Sequence, residues 1–170
     1  METQELMELG EKAAHGFERR IGVTMAIFAA FLAVATLMGH RMHTEEVVLQ
    51  TKLADQWAYY QAKNTRSQMY ANDARLAELY GGSAVASGWD DKAKQERQQA
   101  DDIRHGNEEL DRETQTAAHR ATLFDSSEVF LEIGIVLCSI ALLTRTTSFW
   151  YVSFVSSAVG IALGVMAFVR

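Results

Sequence analysis

The chain has 170 residues, a net charge of −6, 48% hydrophobic residues, one cysteine and no proline. Average usage near 5% would give about eight prolines; proline breaks helices and starts turns, and no alternating strand pattern is present, so the fold class is all-α. The charges of residues 41–120 are mixed in sign, without a basic run to follow a phosphate backbone, which excludes nucleic acid as an expected partner, and Cys138 has no second cysteine with which to form an internal disulfide.

In residues 1–20, Leu6, Leu9, Ala13 and Phe17 form an i, i+3, i+7, i+11 stripe. That suits a short amphipathic helix on a membrane surface, with a solvated tail as the alternative. Arg19 and Arg20 then precede residues 21–38, which carry no charge. A run of that length crosses a bilayer core of roughly 30 Å as one helix. It also exceeds the roughly 7–15 residues of a signal-peptide core, so Ala33-Val34-Ala35 is read as part of a retained span rather than a cleavage site. The first transmembrane helix is placed at residues 21–40.

The helical pattern resumes beyond Gly39, with Leu49, Leu53, Trp57, Tyr60, Tyr70, Ala74 and Ala77 roughly on one face. Gly81-Gly82-Ser83 and Ser87-Gly88 bracket a turn, and Asp90 and Asp91 suit the start of the next helix. From Trp89, the positions Ala93, Glu96, Ala100, Ile103, Asn107, Leu110, Thr114, Ala117, Ala121 and Phe124 follow in steps of four and three. This is the a/d seam of a coiled coil, weakened by its polar members and small alanines. Residues 41–122 are therefore expected to form an extramembrane antiparallel coiled-coil hairpin, whose marginal core calls for further burial against other copies or a partner.

Residues 123–143 and 149–169 are the second and third spans, a tight antiparallel pair joined by the short loop 144–148. The third carries Ser156, Gly160 and Gly164, a small-xxx-small stripe that lets backbones approach closely, either between copies or onto the second span. Lys12, Arg19, Arg20 and Arg145 flank the spans on one side and Arg170 on the other. The excess of positive charge puts the N-terminus in the cytoplasm and the hairpin in the periplasm.

Asp125, Glu128 and Glu132 share one face of the second span. Glu132 lies roughly 12 Å deep, where a charge costs at least a few kcal/mol, so its carboxyl is neutral, paired or facing water. By depth it comes level with residues 156–160, whose hydroxyls or backbone could receive it. It either lines an ion or proton path in an oligomer or acts as hydrogen-bonded packing glue. At the membrane boundary, His40, Arg41, His43, Thr44, Glu45 and Glu46 are expected to approach His119, Arg120, Asp125 and Glu128 on the returning helix. Imidazole and carboxylate make a metal site conceivable, but a salt-bridge and hydrogen-bond network is the preferred reading, so no metal or cofactor is expected. Trp57, Tyr59 and Tyr60 cover too much of a helix circumference to be buried by one neighbour, which points to oligomerisation or docking. No nucleophile–base pair, phosphate loop, haem motif or thiol cluster is present, so enzymatic activity is not expected.

Gly39-His40-Arg41, His43-Thr44-Glu45, Asp55-Gln56-Trp57 and Tyr60-Gln61-Ala62-Lys63 resemble domain-of-unknown-function family 4337, a group of small bacterial membrane proteins. Leu131-Glu132-Ile133, Ser139 to Arg145 and Phe149-Trp150 are similar to its C-terminal hairpin, and the likeness covers most of residues 18–170. The resemblance implies a bacterial three-helix membrane protein and brings no activity, ligand or catalytic residue. The expected role is a bacterial inner-membrane structural or accessory protein, in contact with membrane lipids, that forms a homo-oligomer or joins a membrane complex. The alternative is an oligomeric channel with Glu132 facing the pore; a periplasmic metal-responsive sensor using His40 and His43 is a third reading.

Overall fold

A computed structural model describes the backbone of residues 2–169 and the side chains of residues 16–169. The side chains of Leu6, Leu9 and Ala13, and Arg170, lie outside the described residues. Three helices account for nearly all of the described chain: α1 (Glu2–Leu79), α2 (Ser83–Thr144) and α3 (Thr147–Val169), with no strand among the described residues. All three are long and apolar enough to cross a membrane.

The turn between α1 and α2 is shorter than the sequence suggests. Gly81 takes a positive φ of 77°, the left-handed conformation that glycine adopts without steric cost. Its N–H donates to Glu78 O at 3.1 Å, and Gly82 N–H donates to Ala77 O at 2.9 Å, closing the end of α1. Ala86 N–H already donates to Gly82 O at 2.9 Å. So α2 starts at Ser83 rather than at Asp90, and Ser87 and Gly88 lie inside it. A single glycine costs a helix only about 1 kcal/mol, and no proline forces a break. Asp90 serves instead as the i, i+4 partner of Lys94 at 2.7 Å; that hydrogen bond and its charge raise the lysine pKa above the ordinary 10.5.

The chain divides into two compact units: residues up to His43 together with those from Ala118 onward, and Thr44–Ala117 between them. Within Thr44–Ala117, α1 and α2 pair antiparallel, since contacts advance along one helix as they retreat along the other. Lys63 Nζ donates to Gln99 Oε1 at 2.6 Å, Ser67 Oγ donates to Ala93 O at 2.9 Å, and Tyr70 stacks on Trp89 with centroids 5.3 Å apart. On α2 the inward residues are the expected ones: Ala93, Ala100, Asn107, Leu110, Thr114 and Ala117 are buried, and Glu96 and Ile103 half-buried. On α1 the inner face differs by one position from the expected one. Gln56 is half-buried while Trp57 is 37% exposed, and Lys63 and Ser67 are buried in the seam. Following Leu49, Leu53 and Tyr60 in steps of three and four selects residue 56; the larger apolar neighbour misled the sequence reading.

In the other unit the centre is Ile21, Phe28, Cys138 and Ala141, flanked by Phe17, Met25, Ile135 and Trp150. Phe28 and Trp150 both meet Phe154 edge-on, at 5.5 and 5.4 Å. α2 and α3 approach closely because small residues line their contact. A Cβ on Gly134 would collide with Ser157 Oγ, and one on Gly160 would lie 2.9 Å from Ser127 O.

Candidate functional site

Where α1 leaves its apolar segment, side chains from α1 and α2 form a small polar network. Gly39 lies against α2 there: a Cβ on it would stand 3.4 Å from that of Phe124, an ordinary contact. His43 Nε2–H donates to the Asp125 carboxylate, 3.1 Å from each oxygen. Thr36 Oγ1 donates to Glu128 Oε1 at 2.8 Å, and His40 Nδ1–H donates back to Thr36 O at 2.9 Å. Thr36 was missed by sequence reasoning because it sits inside an uncharged run; its depth level with Glu128 was the available signal. Arg41 and His119 are exposed, and no hydrogen bond joins either to this network among the described residues. Arg120 is half-buried, and its buried Nε lacks an acceptor among the described residues. In the other unit, Glu46 is half-buried and accepts from Gln50 Nε2 at 2.9 Å.

Glu132 is exposed on α2, with no hydrogen bond or ion pair among the described residues. The expectation that residues 156–160 would receive it is corrected. Ser156 Oγ donates to Phe130 O at 2.8 Å, and Gly160 O accepts from Ser127 Oγ at 2.7 Å. The face of α2 that meets α3 is the one bearing Ser127, Leu131, Gly134 and Cys138, and Glu132 points away from it. The same contacts, with those of Gly164, bring the Ser156, Gly160 and Gly164 stripe onto α2, one of the two roles expected for it. Their backbones are needed within the chain, where a Cβ on Gly164 would lie 3.0 Å from Ser127 Oγ.

Along α1, Tyr59 is 50% exposed beside the outward Trp57. Trp57 packs edge-on against half-buried Tyr60 with centroids 5.4 Å apart, and Lys63 Nζ lies 5.6 Å from the Tyr59 ring centre. The segment is thus half committed to the α1–α2 seam and half presented outward.

Residues 17–170 match the family described as Domain of unknown function (DUF4337). The chain belongs to this family. No curated protein and no solved structure matches it. In this DUF4337 member no three His, Cys, Asp or Glu side chains among the described residues are grouped so as to hold a metal ion. What the polar residues do form is a short series along α2, in which Asp125 and Glu128 have partners from α1 and Glu132 has none among the described residues.

Proposed function

We propose that this is a membrane-embedded structural or accessory protein of the bacterial inner membrane. Thr44–Ala117 is read as a periplasmic coiled-coil hairpin through which the protein assembles with copies of itself or joins a larger complex. The observation that carries this reading is the division of labour along α1. Its inner face gives the seam polar side chains such as Lys63 and Ser67, while Trp57 and Tyr59 stand outward. Interfaces concentrate their binding energy in such aromatic residues, and a seam this polar gains from further burial. Native mass spectrometry of the gently extracted complex tests the reading. An assembly that loses mass when Trp57 and Tyr59 are both changed to Ala supports it; a monomer in the wild type sinks it.

The alternative, an oligomeric ion or proton channel, draws on one observation, the unpartnered Glu132 within an apolar helix. A carboxyl there needs a partner from another copy or water. Glu132→Gln is then expected to abolish or alter ion flux in liposomes, and unchanged flux would remove the channel reading.

A further inference from the structure

The three apolar segments do not close on one another at the end where α1 reaches Met38 and α2 reaches Phe124. A cleft of about 280 Å³ opens there, lined by Phe31, Met38, Phe124, Leu131, Gly164 and Phe168 among others. Ser127 also lines it, but its hydroxyl is already donated to Gly160 O at 2.7 Å. Gly164 leaves the α3 wall as bare backbone, so the surface offered is apolar throughout.

Arg120 lies on the same stripe of α2. Residues 120, 124, 127 and 131 follow in steps of four, three and four and so share a face. That puts Arg120 one turn, about 6 Å, beyond Phe124. It is half-buried, and its Nε is buried with no acceptor among the described residues. The nearby carboxylates are engaged elsewhere, Asp125 with His43 and Glu128 with Thr36. That Nε is covered by the chain itself, so the nitrogens left to meet a ligand are the two terminal ones, whose planar fork matches the oxygens of a phosphate.

We propose that this cleft seats a glycerophospholipid, with an acyl chain against Phe31, Leu131 and Phe168 and its phosphate accepting hydrogen bonds from Arg120. The proposal rests on the reading that the three helices span a membrane. An acyl chain is slender and is the surrounding solvent at that depth. The charge complementarity of Arg120 distinguishes a seated phospholipid from any apolar molecule passing over the surface.

The test is native mass spectrometry of the full-length chain in mild detergent, titrated with phosphatidylglycerol and with diacylglycerol of the same chains. The wild type is expected to hold one phosphatidylglycerol per chain and to prefer it over diacylglycerol by about tenfold or more, the size of one charge-assisted contact. Arg120→Gln should erase that preference while still admitting either lipid. Val165→Trp, at a lining position that is 57% exposed and tolerant of bulk, should fill the cleft and exclude both. A preference retained in Arg120→Gln, or unchanged occupancy in Val165→Trp, overturns the proposal; so does a wild-type dimer that excludes lipid, which would give the cleft to a second copy. A chain that stays in solution without detergent overturns the membrane reading itself, whereas a detergent-dependent chain without lipid preference overturns only the lipid site.

Discussion

Gly160 and Gly106 show how one kind of residue does opposite work in the two units. At Gly160 a methyl group would press on backbone, 2.9 Å from Ser127 O and 3.2 Å from Leu131 N. Neither atom can move without shifting α2, so Gly160→Ala is expected to destabilise the chain by about 1–3 kcal/mol, the usual cost of overpacking. Around Gly106 there is nothing within 4 Å, and its helical backbone suits alanine. Gly106→Ala is therefore expected to stabilise by about 0.4–1 kcal/mol. Thermal unfolding in one detergent, followed by circular dichroism, would show midpoints moving in opposite directions. Equal shifts would mean that the α2–α3 approach at Gly160 is looser than described. Neither sign is legible in the sequence, because both glycines sit in helices and only the neighbour across the gap tells them apart.

At the scale of the elements, the α1–α2 seam of Thr44–Ala117 carries an ion pair among its apolar contacts. Lys63 Nζ lies 3.1 Å from Glu96 Oε2 and donates to Gln99 at 2.6 Å, and the Lys63 and Glu96 side chains are only 10% and 17% exposed. Removing Lys63 leaves the half-buried Glu96 with only Arg66 Nη1 at 3.9 Å, so Lys63→Met is expected to cost about 3 kcal/mol, the lower end for a broken buried pair. The pair Lys63→Met with Glu96→Leu is expected to recover that loss and to add up to about 4 kcal/mol, because two desolvation penalties vanish together. A double-mutant cycle by chemical denaturation measures both; additive effects would show that the two side chains do not interact. The spacing of Ala93, Ala100, Asn107 and Leu110 made the α2 face readable from the sequence, since small and apolar residues recur there without a slip. On α1 the inward Gln56, Lys63 and Ser67 are polar, so hydrophobicity favoured Trp57 in place of Gln56. Likewise Asp90 looked like a helix start, and the hydrogen bonds of Gly81 and Gly82 had already allowed α2 to begin at Ser83.

For the whole molecule, the lone cysteine makes the side of a membrane that each segment occupies measurable. Cys138 is fully buried against Ser153, with Sγ donating to its Oγ at 3.1 Å. A membrane-impermeant maleimide is therefore expected to leave the wild type unlabelled in intact cells. In Ser83→Cys, at an exposed position of the α1–α2 turn, labelling from outside is expected if the hairpin is periplasmic. Labelling of Ser83→Cys only after the cells are opened would reverse the orientation read from Arg19, Arg20 and Arg145. The composition and periodicity of this chain determined by themselves that it is all-helical, with three segments apolar enough to cross a membrane, because helix formation and bilayer transfer depend on local residues. The partners of Ser156, Gly160, Asp125 and Glu128, and the lack of one for Glu132, were decided only by tertiary structure. A helix repeats every 3.6 residues whatever it packs against, so the sequence names the faces, and only the neighbouring helices determine which face is covered.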